Sequence, residues 1–316
     1  METISVIVPC YNEEDALPLF LPAMEPILET LPVRWQLIFV DDGSTDGTLP
    51  LLKDIRGKDD RCQYLSFSRN FGKEAALYAG LQHAEGDYVA VMDVDLQDPP
   101  SLLPEMYRRL QQEPLDCVAA CRKDRQGEPW LRSKLSDAFY RVINHFTDTP
   151  MLPGVRDFRL MRRNMVDAIL ELGEYNRFSK GIFGWVGFRT EYLSYENVER
   201  SAGSTKWSLK QLFSYALDGI TDFSVAPLSL ATILGGTFCV LSLLAIILIV
   251  IRTLIWGDPV AGWPSMACIV FLVSGVQLLC SGIIGQYLSK TYLEGKHRPI
   301  YILREASHEA RQSSDS

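Results

Sequence analysis

The chain is 316 residues long, 47% hydrophobic and 22% charged, with a formal net charge of -8. Of its 31 basic and 39 acidic side chains, only Arg252 and Asp258 fall in the 63 residues from Pro227 to Ser289. Such an asymmetry excludes a purely soluble protein, a disordered chain and a many-span transporter.

In chain order, apolar strand candidates run over Ile4 to Val8, Trp35 to Val40, Gln63 to Phe67, Tyr88 to Met92 and Cys117 to Ala120, with helix-like stretches between them. Continuous runs such as ISVIV and QLIFV suit strands buried on both faces, so an α/β fold with a parallel βαβ series is expected. Ligands of such sheets sit beyond the carboxyl ends of the strands. The segments found there are Pro9-Cys10-Tyr11-Asn12-Glu13-Glu14 after the first strand, Asp41-Asp42-Gly43-Ser44-Thr45-Asp46-Gly47-Thr48 after the second, and Asp93-Val94-Asp95-Leu96-Gln97-Asp98 after the fourth. Neither GxGxxG nor GxxxxGK[ST] occurs, which leaves a dinucleotide fingerprint and a Walker-type phosphate loop without support.

Alternate carboxylates on a strand-end turn can share one hard divalent cation with a ligand's diphosphate, and the cation then stabilises the departing phosphate. Asp93 and Asp95, with Gln97 as a further oxygen donor, are the candidates, against the alternative of an ordinary solvated turn. For Asp42 to Thr48, helix capping by Asp46 or Thr48 and ligand contact are equally open. Asp41, at the strand's end, is better placed to accept a hydrogen bond from a base. Tyr11 packs either on a base or on its own helix. After the fifth strand, Arg122, Lys123, Arg125, Arg132 and Lys134 reverse the local sign of charge, as a phosphate site would. A basic face toward anionic lipid headgroups is the alternative.

Two stretches, 139–146 and 209–223, repeat apolar residues at helical spacing and suit either a bilayer surface or core packing. Leu228 to Ile251 and Met266 to Leu288 each exceed 20 residues, enough to cross a bilayer as helices, and Ser281, Gly282 and Gly285 suit close helix packing. Lys290, Lys296, Arg298 and Arg304 follow the second span, whereas the loop from Trp256 to Ser265 has no Lys or Arg. The positive-inside rule therefore puts both chain ends in the cytoplasm. METISVIVPC has no basic segment before an apolar run, so no cleavable signal is expected. Three parts result: a cytosolic domain at 1–226, a transmembrane hairpin at 227–289, and a basic juxtamembrane segment with a tail at 290–316. Seven cysteines without CxxC read as small apolar residues in a reducing compartment, and four histidines without zinc spacing make zinc chemistry a poor expectation.

Six motifs, PCYNEE, DDGSTDGT, SFSRNFGKEAAL, DVDLQDPP, DFRLM and RSAGSTKWS, follow in this order between Ile4 and about Phe223. Together they resemble glycosyltransferase family 2, and within it the polyprenyl-phosphate glycosyltransferases. The resemblance implies a Rossmann-like GT-A domain followed by two C-terminal transmembrane helices, held in a bacterial inner membrane. It implies that Pro9, Tyr11, Asn12, Glu13, Asp41, Asp42 and Asp93 surround a nucleotide sugar, with Arg200 and Lys206 on its diphosphate. Asp93, Asp95 and Gln97 would hold Mg2+ or Mn2+, and Arg122, Arg132 and Ser136 the phosphate of undecaprenyl or another polyprenyl carrier. Asp157 and Asp95 are the implied catalytic residues. Asp157, in DFRLM, is the implied base, although a phosphate monoester with a second pKa of about 6 hardly needs one at neutral pH. A structural carboxylate paired with Arg156 or Arg159 is the alternative.

The reaction implied is an inverting transfer of one sugar, because the QxxRW motif of processive relatives is missing after DxD. The segment from Lys180 to Gly187, KGIFGWVG, resembles the glucosyl branch and points to UDP-glucose, for cell-envelope or O-antigen modification. Aminoarabinose, N-acetylhexosamine and mannose donors stay open, as does a noncatalytic, membrane-tethered nucleotide-sugar-binding protein. The spans could also scaffold a homo-oligomer, and no nucleic-acid partner is expected.

Overall fold

The computed structural model describes residues 1–122, 154–195, 226–256 and 262–307, together with Asn144 and Leu152. In chain order the elements are β1 (Thr3–Cys10), α1 (Leu17–Glu29), β2 (Arg34–Asp41), α2 (Thr48–Lys58), β3 (Cys62–Phe67), α3 (Lys73–His83), β4 (Tyr88–Val91), α4 (Leu102–Gln112) and β5 (Cys117–Arg122). There follow β6 (Val155–Arg162), α5 (Arg163–Glu171), α6 (Ser179–Trp185), β7 (Thr190–Tyr195), α7 (Ala226–Trp256), α8 (Trp263–Gly295) and β8 (Leu303–Ala306).

The eight strands form one sheet in the order β7-β5-β6-β4-β1-β2-β3-β8. Successive residues of the central strands serve opposite faces. Val6, Val8, Leu37 and Phe39 pack with α1 and α4 through Phe20, Met24, Met106 and Leu110. Ile7, Ile38 and Val40 pack with α3 and α5 through Ala76, Ala79, Met165 and Ile169. Burial on both faces is why these strands are uninterrupted apolar runs, each large side chain contributing about 1.5–3 kcal/mol.

The sheet is mixed, which corrects the expectation of an all-parallel series. The strands β1 to β4 are parallel, but β6 runs antiparallel between β4 and β5, and β8 runs antiparallel against β3. Reversal has a geometric consequence. It brings the start of β6 to the edge where β4 and β5 end, and the pairing of Val91 with Arg159, extended by two residues, sets Asp93 level with Asp157.

The C-terminal segment also departs from a free tail. After α8 the chain returns to the domain: Ser68 N–H donates to the Ile302 carbonyl (2.9 Å), Tyr301 stacks on Phe67 (5.0 Å between centroids), and β8 covers the edge of β3. The Glu294 carboxylate at the end of α8 accepts the Tyr175 and Asn176 N–H groups, both at 3.0 Å. Large apolar side chains such as Leu248 of α7 and Leu278 of α8 are exposed. Among the described residues one stretch, Leu272–Gly295, is long and apolar enough to cross a bilayer. A Cβ on Gly282 or Gly285 would meet nothing within 4 Å among those residues. The two helices meet with Cys280 Sγ 3.6 Å from the Ala231 carbonyl.

Candidate active site

The turns after β1 and β2 are laced together. Asn12, at φ +54°, donates its N–H to Ser44 Oγ and accepts from Thr45 N–H at 2.8 Å. Glu13 N–H donates to Thr48 Oγ1, and the Glu14 carboxylate accepts Gly47 N–H at 2.7 Å. Asp46 accepts Thr48 N–H (3.1 Å) at the head of α2, one residue ahead of the N-cap Gly47. Pro9 costs the ladder nothing: Ile7 faces β4 through its carbonyl, and Pro9, two residues on, faces the same side after β4 has ended. Tyr11 is 39% exposed above this seam.

Asp41 is 1% exposed, with Ser44 N–H donating to one oxygen and Ser66 O–H to the other. Asp42 accepts Phe71 N–H (2.6 Å) and Gly72 N–H (3.0 Å), which fixes the segment before α3. Burial pushes the Asp42 carboxyl up to about 6, even though those two N–H groups favour its charged form. Gly43, at φ +67°, lies so close to the Arg69–Asn70 backbone that a Cβ would stand 2.4 Å from the Arg69 carbonyl carbon; only glycine fits this turn.

Beyond β4 the carboxylates have cationic partners. Lys73 Nζ, the first residue of α3, stands 2.6 Å from Asp93 Oδ1 and 2.7 Å from Asp157 Oδ2. Burial would raise the Asp157 carboxyl, but the charges of Lys73 and Lys180 more than offset it and hold the group well below the usual carboxylate range. Neither arginine considered for Asp157 pairs with its carboxylate. Arg156 donates to Asp98 (3.0 Å) and to Gln97 Oε1 (3.0 Å), while Arg159 donates to the Asp157 and Arg156 carbonyls and lies 3.6 Å from the Phe183 ring centroid. Asp98 also accepts from Tyr195 O–H. Asp95 accepts Gln97 N–H (3.2 Å) across a turn with Leu96 at φ +55°, and Val94, between Asp93 and Asp95, is buried.

The structure therefore brings Asp93, Asp95, Gln97 and Asp157 to one edge, with Arg122 at the end of β5 beside it, its N–H donating to the Gly154 carbonyl. Arg132, Ser136, Arg200 and Lys206 lie outside the described residues, as do Lys123, Arg125, Lys134 and nearly all of the two amphipathic stretches. Sequence reasoning alone misses Lys73 and Tyr195, and it offers Arg156 to Asp157 where the structure pairs it with Asp98 and Gln97. For Lys73 the signal is present: SFSRNFGK follows β3 as the other turns follow their strands. Arg156 and Tyr195 carry no such signal.

The profile of Glycosyl transferase family 2 matches residues 5–170, the stretch holding every turn just described. The bactoprenol glucosyl transferase of Shigella phage SfV is 40% identical over 301 residues, covering 95% of this chain and 98% of that protein. The prophage bactoprenol glucosyl transferase homolog of Escherichia coli strain K12 is 38% identical over 301 residues, with the same two coverages. Among solved structures, mannosyl-3-phosphoglycerate synthase from Rubrobacter xylanophilus shares the fold, with a TM-score of 0.50 at 18% identity over 69% of this chain and 72% of that one. The family profile and these relatives make the protein a glycosyltransferase, carried on an α/β domain of GT-A type with a mixed sheet. The chain belongs to glycosyl transferase family 2.

Proposed function

We propose that this chain transfers one sugar from a UDP-sugar, glucose foremost, to the phosphate of a polyprenyl carrier, with inversion at the anomeric carbon. The observation that carries the reading is the meeting of Asp93 and Asp157 around one ammonium at the sheet edge, beside the turn that bears Asp95. The names of the two relatives support both the glucose and the lipid acceptor.

Asp93 and Asp95 offer two hard carboxylates, while the Gln97 side-chain oxygen is engaged by Arg156. Among the described residues no three His, Cys, Asp or Glu side chains form a cage. Two carboxylates that leave room for substrate phosphates suit Mg2+ or Mn2+, so the donor set fits such an ion. When bound, the ion supplies Lewis-acid stabilisation of the departing diphosphate. Asp157 stays ionised beside Lys73 and Lys180, and its charge favours positive charge at the anomeric carbon and orients the acceptor. The acceptor phosphate, with a second pKa of about 6, is its own nucleophile at neutral pH. Arg122, with Arg132 and Ser136, would hold that phosphate, and Arg200 with Lys206 the diphosphate.

The helices α7 and α8 would cross the membrane as a hairpin with both ends in the cytoplasm. That reading is supported by the path of the chain, whose helices start at Ala226 and which rejoins the sheet at Leu303, as an even number of crossings would require. Lys290, Lys296 and Arg298 on the returning side agree with a cytoplasmic face. Crosslinking in membranes would test the homo-oligomer. The reaction is tested by incubating the purified protein with undecaprenyl phosphate, Mg2+ or Mn2+ and a panel of UDP-sugars, then weighing the lipid product. The expected result is a hexosyl-phosphoryl lipid with UDP-glucose; UDP release that does not depend on the lipid would refute the acceptor.

A further inference from the structure

The residue best placed for a role not yet assigned is Lys73. Its backbone is fixed on both sides. Ahead of it, Asp42 grips the Phe71 and Gly72 amides and Gly72 turns at φ +99°. Behind it, the Glu74 carboxylate accepts both the N–H and the O–H of Ser179. Its side chain taken whole is the most open of the three: Lys73 is 42% exposed, against 25% for Asp93 and 17% for Asp157. A flexible four-carbon stem on a fixed base can move its charge by several ångströms without disturbing the fold.

Asp93 Oδ1 cannot serve two cations at full strength. A divalent ion on that carboxylate would stand within a few ångströms of the ammonium, where like charges repel strongly. Asp157 is under no such conflict, because it comes from β6 and not from the DxD turn. We propose that Lys73 is a positioning residue: an internal cation that holds Asp93 and Asp157 together before the donor arrives, leaves Asp93 when the divalent ion binds, and remains on Asp157. The proposal rests on the divalent-ion part of the function above. In that role Lys73 keeps the two carboxylates from splaying apart by mutual repulsion, and it confines strong metal binding to the moment when diphosphate oxygens complete the ligand set.

The test measures Mn2+ binding to the full chain in detergent without nucleotide, following free Mn2+ by electron paramagnetic resonance. Lys73→Met should bind Mn2+ roughly fivefold more tightly, the scale of one partly exposed ion pair. Lys73→Arg, which keeps a cation, should stay near the wild-type value. So should Lys180→Met, which removes a charge acting on Asp157 without breaking a pair to Asp93. Adding Asp93→Asn to Lys73→Met should abolish the gain. Circular dichroism verifies the fold, and Lys73→Gln replaces Lys73→Met if the latter melts early. Unchanged or weaker binding in Lys73→Met, an equal gain in Lys180→Met, or no Mn2+ binding by either protein overturns the proposal. Failure of the lipid reading shows separately, as absence of a glycosylated lipid in the wild type.

Discussion

Two acidic turns share one edge of the sheet and are held by different means. After β2, Asp42, Asp46 and, from the facing turn, Glu14 are satisfied by backbone N–H groups of Phe71, Gly72, Thr48 and Gly47. After β4, Asp93 and Asp98 face the side-chain cations Lys73 and Arg156. A backbone amide inside a packed turn cannot leave, whereas a lysine head can. The carboxylates of the first turn are thus held by scaffold amides, and the second turn is where a ligand can take over a partner.

The comparison breaks most visibly at Asp93. Asp93→Asn should lower the transfer rate by about 10³ with melting close to wild type, because the charge balance around the leaving group is lost while the partly exposed ion pair to Lys73 adds little stability. If Asp42→Asn cost as much, the division into scaffold and exchangeable turn would be wrong. A smaller effect belongs to the scaffold. Asp42→Ala strands the Phe71 and Gly72 amides and should cost about 1–3 kcal/mol of stability, read by denaturant unfolding.

Acidity separates the two turns further. The folded-state pKa of Asp42, about 6, lies above the unfolded value near 3.9, so the folded state holds its proton longer. This contribution to stability is greatest below pH 4 and is lost as pH rises to 6; Asp42→Asn should flatten the stability profile in that window. Asp157 is displaced the other way and stays ionised throughout the working range. The acid limb of kcat/KM should therefore follow the acceptor phosphate near pH 6 in wild type and in Asp157→Asn alike. A limb that vanishes in Asp157→Asn would assign it to the carboxylate. The smallest change is expected where the end of α8 meets the domain. Glu294→Ala frees the Tyr175 and Asn176 amides near the surface, and should shift Tm by a few degrees without altering donor KM.

Much of the α/β domain is legible from residue order alone. ISVIV, QLIFV and YVAVM mark strands, since a strand buried on both faces has to be apolar throughout, and DDGS marks a turn that only glycine can complete at position 43. The acidic character of the edge is equally local. Lys73 sits in a strand-end segment like the others, and applying the same rule after β3 picks it out.

What residue order determines here is the first five strands and the chemical character of their ends, because burial and turn geometry act over a few residues, whereas β6, β7 and β8 emerge only in the structure. Tertiary structure decides which ends meet. The insertion of β6 between β4 and β5 sets Asp157 opposite Asp93 and commits both to Lys73, and the return of β8 to β3 ties the end of the apolar helices to the catalytic sheet. Pairings across 64 and about 240 positions depend on which strands become neighbours, a choice made by the collective packing of the sheet and not by any one segment.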